Sequence, residues 1–73
     1  MEKYLVYRGY TAQEPFAEYY SMDQVTALVH NYAAQYNYGL YRSWTIDGTD
    51  YYDCGAIVLM VKKLIKFDFS PQL

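Results

Sequence analysis

The chain has 73 residues, 53% of them hydrophobic and 21% aromatic, a formal charge of −2 and a single cysteine. That length predicts one domain over 1–73 with a single small core, burying about 60–65% of the surface that its unfolded chain exposes. The apolar content excludes a disordered composition, the acidic balance argues against direct nucleic-acid binding, and Cys54 alone excludes an internal disulfide framework.

The opening MEKYLVYRGY lacks the basic-then-apolar order of a signal peptide. No apolar run approaches the roughly 20 residues that span a bilayer, so a cytoplasmic location is expected. Lys3 to Tyr10 is β-branched and aromatic and reads as a strand that ends or bulges at Gly9. Its inward face is either Leu5 with Tyr7, or Tyr4 with Val6 and Arg8, the arginine stem snorkelling at an edge. Thr11 to Glu14 with Pro15 predicts a turn. Phe16 to Tyr20 is a short strand or an extended lead-in to a helix.

Ser21 to Tyr36 carries the clearest period in the chain. Val25, Leu28, Val29, Tyr32 and Tyr36 fall on one face of an amphipathic helix. Ser21 is a good N-cap, Gln24 completes a capping-box spacing, and Asp23 sits at the positive end of the helix dipole. Tyr20 is placed to staple against Val25 or the stem of Gln24. Asn37 and Gly39 are the stop residues, each tolerant of a left-handed cap.

Leu40 to Ile46 alternates, with Leu40, Trp44 and Ile46 expected inward and Tyr41, Ser43 and Thr45 outward. Asp47-Gly48 is a turn signal, extended by Thr49 and Asp50. Tyr51 to Phe69 is ambiguous between helix and strand. Its β-branched content favours one long strand over about 55–67, irregular at Gly55 and paired with 40–46. Residues 70–73 read as a flexible tail. The expected fold is α+β: one helix on one face of a three- to four-stranded, largely antiparallel sheet, in the order β-(β)-α-β-β.

No phosphate loop, zinc spacing or nucleophile motif occurs, so no enzyme, cofactor or metal is expected. His30 lies about 140° from Val25 on the helical wheel and reads as a solvated residue, not a ligand. Cys54 has Asp50 and Asp53 nearby, which raise a thiol pKa, and reads as a core residue and not a nucleophile. Asp47, Asp50 and Asp53 lack the calcium-loop order and read as a solvated turn or an acidic contact loop. Lys62, Lys63 and Lys66 read as edge-strand protection.

The 11 tyrosines exceed what a small core can bury, and tyrosine is enriched at protein contacts. Exposed polar-aromatic groups expected to bind a partner are Arg8, Glu18, Tyr19, Asp50, Tyr51 and Tyr52. Small size, acidic balance, tyrosine excess and a helix on a small sheet together resemble the small phage-encoded regulators of host RNA polymerase. The resemblance covers size and element order along the whole chain. It implies a monomer that docks on a subunit of bacterial RNA polymerase, weakens the hold of the sigma factor, inhibits initiation or promotes antitermination, and needs no cofactor. Alternatives are a nucleic-acid-binding module with base-stacking sheet tyrosines, a phage inhibitor of a host nuclease or defence system, and a protein that self-associates through an edge strand.

Overall fold

The computed structural model describes residues 2–65. The tail 70–73, the end of the expected strand at 66–67, Lys66 and Asp68 lie outside the described residues. The elements are β1 (Glu2–Arg8), β2 (Ala17–Tyr19), α1 (Met22–Tyr36), β3 (Arg42–Ile46), β4 (Thr49–Asp53) and β5 (Val58–Ile65). They form one antiparallel sheet in the order β2-β1-β5-β4-β3, with α1 laid on one face. The α+β class is as expected from sequence, and the sheet has five strands.

Local chemistry fixes α1 closely. The Ser21 hydroxyl accepts the Gln24 amide at 3.3 Å, and Gln24 Oε1 accepts the Tyr20 amide at 2.9 Å. The second bond reaches one residue beyond the usual capping box. Tyr20 therefore contributes its backbone, and its ring is exposed instead of stapled. Val25, Val29 and Ala33 are fully buried, Leu28 and Tyr32 are partly buried, and Tyr36 is exposed. Ala33, small enough to let the helix approach the sheet, belongs to the stripe, and Tyr36 does not. The helix stops at Asn37 (φ −150°, ψ 37°), while Tyr38 (φ 56°) and Gly39 (φ 82°) take the left-handed conformation.

The register assigns every side chain to a face. Tyr4 pairs with Tyr19 and Lys63, Val6 with Ala17 and Val61, and Leu59 with Tyr52. Tyr4, Val6, Leu59 and Val61 face the helix and form the core with Val25, Val29, Ala33 and Cys54. Each fully buried Val or Leu contributes about 1.5–3 kcal/mol. Tyr19, Tyr32, Tyr41 and Tyr52 pack around this aliphatic centre. Arg8 shares the helix face. Its guanidinium lies 4.6 Å from the Phe16 ring centroid and donates to the Tyr32 hydroxyl at 2.9 Å, tying β1 to the helix.

Four expectations from sequence are corrected. Asp47 (φ 51°) and Gly48 (φ 79°) form a two-residue turn of the primed kind, so Thr49 and Asp50 belong to β4. The segment read as one strand over 55–67 is preceded by that extra strand, and β3 pairs with β4 instead of with β5. β5 thus sits mid-sheet between β1 and β4. Lys62 and Lys63 do not guard an edge: Lys63 pairs with Glu2 at 3.3 Å, and Lys62 lies 5.2 Å from the Tyr7 ring centroid. The faces of β3 are also reversed. Ser43 and Thr45 share the helix side with their partners Tyr52 and Asp50, while Trp44 and Ile46 face away from it.

Gly55 (φ 91°) turns the chain between β4 and β5, where Asp53 Oδ1 accepts its amide at 3.0 Å. A Cβ there would stand 2.9 Å from Asn37 Cβ and 3.1 Å from the Tyr36 carbonyl oxygen, so this turn is pressed against the end of the helix. Gly48 has the same φ sign and open space. Gly48→Ala is expected to destabilise by about 1 kcal/mol through its backbone alone, and Gly55→Ala by clearly more. Denaturant unfolding of the two variants checks this, and equal losses would remove the close approach from the account.

Candidate interaction surface

Among the described residues, the sheet face turned away from α1 has no second layer. On it the register places Lys3, Leu5 and Tyr7 of β1, Glu18 of β2, Met60, Lys62 and Leu64 of β5, Thr49, Tyr51 and Asp53 of β4, and Arg42, Trp44 and Ile46 of β3. Tyr51 pairs with Trp44 on one side and Met60 on the other, and Met60 pairs with Tyr7. The result is a band of large side chains across four strands.

The rings in this band organise one another. Trp44 and Tyr51 stack with centroids 5.6 Å apart and planes 11° from parallel. Tyr10, just past the end of β1, comes within 5.9 Å of Tyr51 with its plane tilted by 35°. Tyr51 thus contacts two rings. Beside this row, Tyr7 and Met60 are only 8% and 6% exposed although no helix among the described residues covers them. Ile46 at 53% and Leu64 at 48% exposure extend the apolar area to the rim. Cross-strand ion pairs flank it, Lys3 with Glu18 at 3.6 Å and Arg42 with Asp53 at 3.8 Å. They contribute little net stability at such exposure, but they match opposite charges across adjacent strands and so favour this register.

The six residues expected to bind a partner do not form one surface. Tyr51 and Glu18 lie on the open face, but β2 and β4 are three strand spacings apart, about 14 Å. Arg8, Tyr19, Asp50 and Tyr52 lie on the helix face. Tyr19 and Tyr52 pack against the core, Arg8 is held by Phe16 and Tyr32, and Asp50 accepts the Thr45 hydroxyl at 2.6 Å. Trp44, Tyr10, Tyr7 and Met60 were not singled out from sequence. Alternation about the Asp47-Gly48 turn carries their signal: once β4 starts at Thr49, Tyr51 falls opposite Trp44.

The three aspartates of 47–53 are divided between the turn and the two faces, and among the described residues no three His, Cys, Asp or Glu side chains converge to hold a metal. His30 is exposed, with its ring 5.6 Å from that of Tyr41. Cys54 is fully buried and directs its thiol at the Val29 carbonyl, 3.8 Å away. Burial, and then the nearby Asp53 charge, push its pKa up. Tyr52 is pushed up by burial and then by Asp50. Tyr4 is raised by the hydrogen bond that it donates to Glu2 at 2.7 Å, and the same bond, with Lys63, lowers Glu2.

Comparison of the chain with protein-family models, with curated proteins and with solved structures finds no match. No helix among the described residues is long and apolar enough to cross a membrane.

The raised groups make stability fall in alkali. Cys54, Tyr52 and Tyr4 are held neutral by the fold, so their contribution is complete below their unfolded pKa values of about 8.5 and 10 and is lost as pH rises through the higher folded values. Glu2 acts in the opposite sense, its contribution being present above about 4.3 and lost as pH falls through its lowered folded value. Unfolding midpoints are expected to hold steady between about pH 6 and 8 and to decline above about pH 9. Tyr52→Phe is expected to reduce the alkaline slope. An unchanged slope would show that Tyr52 titrates alike in the folded and unfolded chain.

Proposed function

We propose that this chain is a phage-encoded, non-enzymatic binding protein that acts in the bacterial cytoplasm on host RNA polymerase, using the open face of its sheet. The observation that carries the choice of surface is the Trp44–Tyr51–Tyr10 row beside Met60 and Tyr7, on the face that no helix among the described residues covers. Aromatic side chains concentrate binding energy in few contacts and lose little conformational entropy when fixed. Here their mutual stacking fixes them before any partner arrives, which lowers the cost of association. The choice of polymerase rests on the resemblance in size and element order to small phage regulators.

The mechanism is occlusion. A monomer docks on a polymerase subunit and covers surface on which the sigma factor depends. Its differential affinity for the sigma-free enzyme shifts the equilibrium against sigma-dependent initiation. Antitermination results if the chain stays bound during elongation. No chemical step and no cofactor enter this scheme.

A nucleic-acid-binding reading has one observation in its favour, Lys62 beside the Tyr7 ring on the same face. Against it, Trp44 and Tyr51 already stack on each other, and base stacking needs free ring faces. Filter binding at low and high salt discriminates: affinity that falls steeply with salt favours nucleic acid.

Immobilised chain is expected to retain purified core polymerase and to reduce promoter-dependent transcription by sigma holoenzyme. Ile46→Glu, at an exposed position, is expected to leave stability within about 0.5 kcal/mol and to weaken capture at least about tenfold. Absence of retained core enzyme with the unaltered chain would overturn the polymerase assignment. Full capture by Ile46→Glu would overturn the assigned surface.

A further inference from the structure

The sheet has two edges among the described residues, and they differ. β2 is three residues long and follows closely on Pro15, so that edge is short. β3 is five residues long, contains no proline and pairs with β4 in an unbroken register. Ser43 and Thr45 point to the helix side and are exposed, so α1 does not reach over this edge. Apart from the charge of Arg42 at its start, β3 lacks the devices that blunt an edge strand.

The hairpin fixes which backbone groups face outward. The two-residue turn at Asp47-Gly48 makes Ile46 and Thr49 a hydrogen-bonded pair. Alternation along an antiparallel ladder then makes Trp44 with Tyr51, and Arg42 with Asp53, bonded pairs as well. The amides and carbonyls of Ser43 and Thr45 therefore point away from β4, and no strand or loop among the described residues pairs with them. The occupant that matches such a row of donors and acceptors is another extended backbone.

A second copy of β3 matches it in one register that uses all five residues. Bonded pairs across the new antiparallel junction must join outward-pointing residues, and full overlap puts the two-fold axis at Trp44. Ser43 then pairs with the second copy's Thr45, and Thr45 with its Ser43, through four hydrogen bonds. Both side chains are small and hydroxylated, and such pairs are favourable across strands. Arg42 falls opposite Ile46, so no like charges meet. Trp44 opposes Trp44 in a non-hydrogen-bonded pair, where cross-strand side chains stand closest. The two helices lie on one side of the joined sheet, and the two aromatic bands run on from each other on the other side.

We infer that the free chain forms a two-fold dimer through β3, joining two five-stranded sheets into one. The inference stands apart from the polymerase reading, since it describes the chain before it meets another protein. A five-residue strand pair is about 17 Å long. So narrow a contact is smaller than the roughly 1,200–2,000 Å² of a stable interface, so the dimer dissociates readily and the monomer stays available to dock.

Sedimentation equilibrium of the unaltered chain is expected to show dimers that increase with concentration below about 1 mM. Ser43→Pro removes an outward amide and no bond of the β3–β4 hairpin, a change that an edge strand accepts. It removes two of the four junction bonds and is expected to weaken association at least about tenfold, while Ser43→Thr keeps it within about threefold. Trp44→Cys tests the register separately. The two Cα atoms at the axis stand about 4.5 Å apart, within disulfide reach, so mild oxidation is expected to cross-link two copies. In Ile46→Cys the two sites are about 14 Å apart along the strands, and no cross-link is expected. A chain that stays monomeric up to about 1 mM would overturn the dimer. Association undiminished in folded Ser43→Pro would overturn the junction at β3, as would cross-linking of Ile46→Cys without cross-linking of Trp44→Cys.

Discussion

One helix has to seal one face of a five-stranded sheet, and the rest of the structure depends on that constraint. A 15-residue helix is about 22 Å long and buries one narrow stripe. Val25, Val29 and Ala33 close over Val6, Leu59 and Val61, and the aliphatic core ends there. Among the described residues, the other face receives no helix. Its large side chains must shield one another, and the stacked rings of Trp44 and Tyr51, with Tyr10 tilted against Tyr51 and buried Tyr7 and Met60 beside them, do so in part.

Tyrosine suits both faces for the same reason. Its ring contributes apolar area, and its hydroxyl can finish in water or on a neighbour. On the helix side, Tyr4, Tyr19, Tyr32, Tyr41 and Tyr52 surround the small core, with the Tyr4 and Tyr32 hydroxyls tied to Glu2 and Arg8. On the open side, Tyr7, Tyr10 and Tyr51 build the band. Tyr20, Tyr36 and Tyr38 are exposed, and of these Tyr36 still stacks on Tyr32. The tyrosine content is thus first a structural answer to a small core and then a supply of contact surface. The pH behaviour belongs to the first role, since Tyr4 and Tyr52 are raised by contacts inside the fold.

What could be read from sequence tracks locality. The helix, its Ser21 cap and the Asp47-Gly48 turn depend on neighbouring residues, and they appear where their patterns put them. Strand partners depend on residues far along the chain. Assigning Thr49 and Asp50 to the turn concealed β4, and that one choice propagated. It joined β5 to β3, moved Lys62 and Lys63 to an edge, and assumed that the apolar side of β3 faced the helix. Trp44 and Ile46 in fact lie on the far face, because β3 is the outermost strand and its ring partner, Tyr51, stands on that side. The same error scattered the expected contact residues, of which Tyr51 alone belongs to the aromatic row. Tyr38 escaped notice because turn signals point to Asn37 and Gly39, and only the backbone shows that the tyrosine between them is left-handed.

The central claim is that the helix face maintains the fold and the open face meets the partner. Hydroxyl-radical footprinting with mass spectrometry, on the chain alone and mixed with core polymerase, tests it most directly, because aromatic and sulfur side chains are labelled where solvent reaches them. The account predicts protection of Trp44, Tyr51 and Tyr10 in the complex, with Tyr20 labelled equally in both states. Protection of Tyr20 and Tyr36 with unchanged labelling of Trp44 and Tyr51 would place the contact on the helix side and contradict it.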